Sequence, residues 1–312
     1  MPQPLKPESL RTGDSTRILS IASPVDPARL QRGIEEIARL GYTAKVDPER
    51  VLARGDFFAG SAAERGAALR EALTETGTRG IFCSRGGYGS NYLLDGLSVA
   101  LASPKLLVGY SDLTSLQIFL WQKFRWITVY GPMAAAGLDK GAGVADGYDA
   151  ETLTRALTET KQGWTIPLAG SEAIMPGSAD GVLLGGCLTL IETALGTPWE
   201  LDTHGAILLL EDRGMKPWQV DRALMHLKQA GKLRGVSGVL LGEFPECEGP
   251  AGTETVLAVA RRILGTIGFP VVWGAAVGHT PRPMLTLPLG VRARLKADEN
   301  SRLEILEPAC RA

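Results

Sequence analysis

Apolar positions in the first half of the chain follow two alternating periods. Short stretches rich in apolar and β-branched residues at Ile18 to Ala22, Thr43 to Val46, Gly80 to Cys83, Leu106 to Val108 and Ile127 to Val129 predict strands. Segments with helical spacing lie between them. Pro27 to Leu40 places Leu30, Ile34, Ile37 and Leu40 on one face, and Ala62 to Thr76 forms a second such segment. Strands separated by helices of this length predict βαβ units and a parallel sheet. From about Gly181 the alternation resumes, with helices over Leu188 to Leu195, Pro217 to Ala230 and Glu254 to Leu264. Strands are expected over Ala206 to Leu210, Val236 to Leu241 and Pro270 to Trp273. Val291 to Lys296 and Arg302 to Leu306 flank Ala297-Asp298-Glu299-Asn300 and predict a hairpin. Leu138 to Gly177 is richer in Gly, Asp, Thr and Ser and reads as a linker with one helix, around Glu151 to Glu159. The expected fold is therefore α/β: an N-terminal parallel-sheet domain (1–137), a linker region (138–178) and a C-terminal mixed α/β domain (179–312) ending in a β-hairpin.

Composition narrows the function classes. A net charge of −1 gives no reason to expect nucleic acid or an anionic membrane surface as a partner. No segment is long and apolar enough to span a bilayer, and Met1 to Pro7 lacks the apolar run of a signal peptide. The four cysteines, Cys83, Cys187, Cys247 and Cys310, show no CxxC spacing, which argues against zinc and suits a reducing compartment. A cytoplasmic protein is expected. The absence of HExxH or any histidine pair points away from a metal, and no cofactor is expected. Any imidazole base must be His204, His226 or His279.

On parallel sheets ligands bind at the carboxyl ends of strands, and two motifs fall there. In Gly109-Tyr110-Ser111-Asp112 a serine follows a buried strand and precedes an apolar-periodic helix. Its hydroxyl would stand exposed beside a helix N-terminus, where free N–H groups favour developing negative charge. The alternative is that Ser111 or Asp112 simply caps the helix. Arg85-Gly86-Gly87-Tyr88-Gly89-Ser90 matches neither nucleotide-loop spacing. Its glycines either present N–H groups as an oxyanion hole or serve only a tight turn. Farther on, Glu211 and Asp212 directly follow four aliphatic residues, so at least one carboxylate sits at the edge of a core and needs a partner. That partner could be Arg213 or Arg222 in a structural salt bridge, or a histidine. His279 follows a strand in a loop opened by Gly278, whereas His226 lies mid-helix and His204 in a turn. Ser111, Glu211 and His279 thus form a possible nucleophile, orienting carboxylate and base, although the serine lacks the closing glycine of GxSxG. Cys187, after Gly185-Gly186, is a second possible nucleophile, against which stands its place at the start of an apolar helix.

In order along nearly the whole chain stand Phe58-Ala59-Gly60, Arg85 to Gly89, Gly109 to Asp112, Gly131-Pro132-Met133, Gly185-Gly186, Gly196-Thr197-Pro198, Leu210-Glu211-Asp212, Asp221-Arg222, Ala230-Gly231 and Gly278-His279. With these motifs the sequence resembles the bacterial LD-carboxypeptidases, or muramoyltetrapeptide carboxypeptidases, a serine peptidase family that includes microcin immunity peptidases. The resemblance implies a two-domain, metal-free, cytoplasmic homodimer. Its catalytic triad would fall on Ser111, Glu211 and His279, and its oxyanion hole on the main-chain N–H groups of Asp112 and of Gly86 or Gly87. The implied substrate is murein tetrapeptide, from which terminal D-Ala is released by cleaving an L,D-amide during cell-wall recycling. An exopeptidase also needs a cation for the substrate carboxylate, and Arg85 is the sequence-local candidate, unless it only holds its own loop. Departures from the family pattern are Tyr130, Cys187, Met215 and Trp218, of which two lie in the loop after Glu211. The competing reading is a microcin-type immunity peptidase that cleaves an aminoacyl-nucleotide conjugate. It is disfavoured because Gly163 to Gly181 is short and offers only Trp164 for base stacking.

Overall fold

The computed structural model describes residues 3–97 and 103–312, and in it the strands gather into two sheets. The N-terminal part carries β1 (Ser15–Leu19), α1 (Pro27–Arg39), β2 (Thr43–Lys45), α2 (Pro48–Val51), α3 (Ala62–Thr74), β3 (Gly80–Cys83), β4 (Leu106–Gly109), α4 (Thr114–Phe124) and β5 (Thr128–Tyr130). Next come α5 (Ala150–Thr158), β6 (Trp164–Pro167), β7 (Glu172–Met175), β8 (Gly177–Cys187), α6 (Leu188–Thr193), β9 (Ala206–Glu211), α7 (Pro217–Gln229) and β10 (Gly238–Gly242). The chain ends with α8 (Val256–Leu264), β11 (Val271–Ala275), β12 (Leu287–Leu289), β13 (Arg292–Ala297) and β14 (Arg302–Ile305).

The first sheet has the order β12-β5-β4-β3-β1-β2. β1 to β5 pair in parallel, as the strand–helix alternation requires, and β12 closes one edge antiparallel to β5. The second sheet, β6-β14-β13-β8-β9-β10-β11-β7, is mixed. In its parallel centre, β8-β9-β10-β11, β9 reads as continuous aliphatic sequence up to Leu210 because both faces are covered, and Ala206 to Glu211 is buried throughout. The closing hairpin forms as expected, with β13 against β14 in antiparallel register. Local signals set the helix starts. Asp26 caps α1 through Arg29 N at 2.9 Å with Pro27 in the first turn, and Ser61 and Glu64 form a capping box on α3.

Three differences from the sequence reading have identifiable causes. The stretch read as a linker with one helix also contains β6 and β7, which join opposite edges of the second sheet. β6 shows the alternation of a half-buried strand, Trp164 and Ile166 inward with Thr165 and Pro167 outward, in a run of only four residues. β8 was not expected as a strand, because Gly177-Ser178-Ala179-Asp180-Gly181 is poor in strand formers. Pairing with β13 on one side and β9 on the other overrides that weak preference. Thirdly, β1 begins at Ser15 and ends at Leu19, where its ladder with β3 stops at Cys83, and Ile21 and Ala22 are buried in the loop beyond.

The carboxyl ends of β4 and β9 face a common cleft, and the loop after β11 reaches the same place. Side chains bridge the two sheets there: Thr114 Oγ1 at the start of α4 accepts from the backbone N–H of Cys187 at 3.0 Å.

Candidate active site

Ser111 occupies the turn between β4 and α4 with a φ of 64°. That left-handed backbone is strained for a side chain with a Cβ and lifts the residue off the end of the strand. Neither Ser111 nor Asp112 caps the helix: no side chain caps the 3₁₀ turn Ser111–Leu113 or α4 behind it. The Asp112 carboxylate instead accepts backbone N–H groups from Ser90 at 2.8 Å and Gly89 at 3.3 Å, while Ser90 Oγ donates to the Asp112 carbonyl at 2.6 Å. The serine turn and the glycine loop are thereby one unit. Burial pushes the Asp112 carboxyl above its ordinary pKa, against the pull of the Ser90 hydrogen bonds. Gln117 fixes the turn from behind, donating from Nε2 to the carbonyls of Gly109 and Val129, both at 3.0 Å.

The glycine loop lies directly against the serine. A Cβ on Gly86 would stand 2.9 Å from Ser111 Cβ and 3.4 Å from Asp112 N. No other residue type fits without displacing the turn. The loop leads into a single 3₁₀ turn, Ser90–Leu93. Gly86→Ala should therefore leave the fold in place and shift the serine by a fraction of an ångström. Turnover is expected to fall about 100-fold or more, since a 1 Å misplacement carries a cost of that order. Steady-state kinetics beside a thermal melt would show it.

Glu211, the last residue of β9, is fully buried. Its Oε2 accepts from both His279 Nδ1 and the His279 backbone N–H, each at 2.8 Å, and Oε1 accepts from Tyr130 Oη at 2.6 Å. Gly278, at φ +70°, turns the chain so tightly over this carboxylate that a Cβ would fall 2.7 Å from Oε1. The loop beyond is held by Glu243, which accepts from Thr280 Oγ1 and, at 2.8 Å, from Arg282 Nε. Since Nδ1 is engaged, Nε2 is the imidazole atom left for the cleft. Burial alone would lower the pKa of His279, but the charge and hydrogen bond of Glu211 outweigh it, and the net displacement is upward from 6.5.

Ser111 and His279 line one open cavity of about 600 Å³, together with Arg85, Gly86, Gly87 and Tyr110. Tyr110 packs edge-on against the imidazole, with ring centres 5.2 Å apart. Of the residues singled out in the sequence, the fold gathers Ser111, Glu211, His279, Asp112, Gly86, Gly87 and Arg85 around this cleft. It leaves out the other two histidines. His226 is half-exposed on α7 and paired with Glu192 at 3.1 Å, and His204 is exposed in its turn. Asp212 forms no salt bridge with the guanidinium of Arg213 or Arg222, although its Oδ1 accepts the backbone N–H of Arg213 at 2.7 Å. It accepts from Thr189 N at 2.8 Å and Thr189 Oγ1 at 2.7 Å, whereas Arg213 pairs with Glu246 and Arg222 lies over Trp218. Cys187 is buried with its thiol toward Asp212, and burial raises its pKa well above the ordinary value, which leaves it a poor nucleophile.

Sequence reasoning missed the other cations of the cavity wall: Arg29, Lys140 and Arg213. They are distant in sequence, and only the fold collects them. Arg29 pairs with the buried Asp139 at 2.7 Å and Arg213 with Glu246. Among the described residues Arg85 and Lys140 have no carboxylate partner. Arg85 is exposed and uses Nη1 on the Pro24 carbonyl at 3.3 Å.

Comparison with known proteins places the chain among the serine peptidases. The chain is a member of the LD-carboxypeptidase family: residues 16–131 match the LD-carboxypeptidase N-terminal domain and residues 180–295 the C-terminal domain. It is 32% identical over 308 residues to a "probable murein peptide carboxypeptidase" of Bacillus subtilis, covering 95% of this chain and 93% of that one. It is 27% identical to the microcin C7 self-immunity protein MccF of Escherichia coli, over 97% of this chain and 96% of the relative. Among solved structures, wild-type MccF superposes with a TM-score of 0.91 at 25% identity, covering 98% of this chain and all of that one. A muramoyltetrapeptide carboxypeptidase from Oxalobacter formigenes gives 0.83 at 28% identity, over 94% of this chain and 99% of the other.

Proposed function

We propose that this chain is a serine L,D-carboxypeptidase that removes the terminal D-Ala of murein tetrapeptide. The observation that carries the reading is the Glu211–His279 pair opening onto the cavity that Ser111 also lines. Ser111 Oγ attacks the scissile carbonyl while His279 Nε2 takes its proton. The tetrahedral oxyanion is met by the N–H groups of Asp112 and of Gly86 or Gly87, and one such donor lowers the barrier by roughly 3 kcal/mol. Collapse expels the amine of D-Ala, which receives the proton from His279. Water then repeats the sequence on the acyl-serine. Glu211 fixes the tautomer throughout and stabilises the imidazolium. Arg85 and Lys140, the cavity cations without carboxylate partners among the described residues, suit the substrate's terminal carboxylate.

The murein relative of Bacillus subtilis supports this substrate. So does the position of Trp164: the indole is buried in β6, outside the cavity, and cannot stack on a nucleobase there. Cell-wall recycling in the cytoplasm is the setting that such a substrate implies.

The test is incubation with murein tetrapeptide and measurement of free D-Ala. Release by the wild type, with none by Ser111→Ala, is expected; an intact tetrapeptide beside an active enzyme on an aminoacyl-nucleotide conjugate would reject the substrate. The pH profile is a second check. His279 acts as base only when neutral, and its pKa is displaced upward from 6.5. Plotted against pH, kcat/KM should therefore rise through a midpoint above 6.5 and fall away on the acid side. A midpoint well below 6.5 would contradict the pairing with Glu211.

A further inference from the structure

Oε2 of Glu211 is occupied by His279, but the opposite oxygen is held by a residue with no place in the triad. Tyr130, at the end of β5, is fully buried and does not line the cavity. Its phenol donates to Glu211 Oε1 at 2.6 Å and accepts the backbone N–H of Ser111 at 3.4 Å. A continuous chain of hydrogen bonds thus runs from the N–H of the serine through the phenol and the carboxylate to the imidazole. It joins the nucleophile of one sheet to the acid of the other without passing through the substrate. Burial and the charge of Glu211 push the phenol pKa well above its ordinary value, so the group remains a donor at any working pH.

We infer that Tyr130 is a positioning residue, which fixes the Glu211 carboxylate against His279 and sets the pH at which His279 becomes a base. The inference rests on the triad reading above. A carboxylate with no exposure to water depends on protein donors for its charge, and a hydrogen bond to a charged group is among the stronger kinds. Without the phenol hydroxyl, Oε1 faces the Tyr130 ring with no donor. The Glu211–His279 pair then binds a proton more readily, and the neutral imidazole is reached only at higher pH. The other titratable groups facing the pair are Asp212, Arg213, Glu246, the Tyr110 phenol and the Cys187 thiol, all unaltered by the change.

The experiment tracks the rate at which a fluorophosphonate inactivates the whole protein as a function of pH, since this reports nucleophile activation without any assumption about the peptide substrate. For Tyr130→Phe the rate at neutral pH should fall about ten- to a hundredfold, and the acid limb should move up by roughly one pH unit. With peptide, the loss should appear in kcat and not in KM, because the phenol does not reach the cavity. Incorporation of 3-fluorotyrosine at position 130, a more acidic donor of nearly the same shape, should move the limb the other way and serves if the Phe variant does not fold. Limbs that coincide with wild type in both variants would overturn the assignment, leaving Tyr130 as packing. A wild-type protein that the fluorophosphonate does not modify at all would instead overturn the triad on which it rests.

Discussion

Ser111→Ala and Ser111→Gly should both lose turnover by several orders of magnitude, yet differ in stability in a direction set by the backbone. With the hydroxyl gone no acyl-enzyme forms, and only binding and the oxyanion N–H groups remain. That residue of catalysis lies roughly 10³–10⁴-fold above the reaction in water. Stability is decided by the φ of 64° at this position. A side chain with a Cβ costs about 1–2 kcal/mol there, and alanine retains that cost. Glycine relieves it and gives back roughly 0.5–1 kcal/mol through the entropy of the unfolded chain. Ser111→Gly should accordingly melt at or above the wild type, and Ser111→Ala close to it. Thermal melts of the three proteins with initial rates on tetrapeptide would check both halves. An inactive glycine variant that melts well below the alanine variant would contradict the strained turn.

Glu211→Gln should reduce kcat by about 10³–10⁴-fold with KM little changed. The amide is close to isosteric, so the buried site remains filled, but it cannot accept at both ends. Either its NH₂ group confronts His279 Nδ1 and imposes the wrong tautomer, or its oxygen takes Oε2's place and leaves an uncharged partner for the imidazolium. Both outcomes remove stabilisation that matters in the transition state and leave the cavity wall intact, because Glu211 is fully buried. The acid limb should also fall toward the ordinary imidazole range, since the charge and hydrogen bond that raise the His279 pKa are weakened. A variant with unchanged kcat would remove Glu211 from the mechanism.

Much of this arrangement was legible in the chain because it depends on local signals. Apolar runs ending in Gly-Tyr-Ser-Asp or Glu-Asp placed Ser111 and Glu211 at strand ends, where parallel sheets put their ligands. With only three histidines, the loop address of His279 distinguished it from its two rivals. The features that escaped the sequence depend on pairing across distance. β8 has the composition of a loop and becomes a strand only between β13 and β9. Asp212 looked like half of a salt bridge, but the fold delivers Thr189 to it. Tyr130 stood out in the sequence only as a departure from the family pattern, and its bond to Glu211 spans 81 positions. The Gly86 approach to Ser111 is similarly invisible without the fold, because a glycine needed for proximity and one needed for a turn are written alike.

In the proposed mechanism Ser111 is the one activated nucleophile, and His279 activates it. The most direct measurement of this is reaction of the intact protein with a fluorophosphonate, with intact mass and peptide mapping to locate the adduct. A single adduct on Ser111 in the wild type, formed far more slowly in His279→Ala, is the result the structure predicts. An adduct on another residue such as Ser90, or labelling at the same rate without His279, would contradict it.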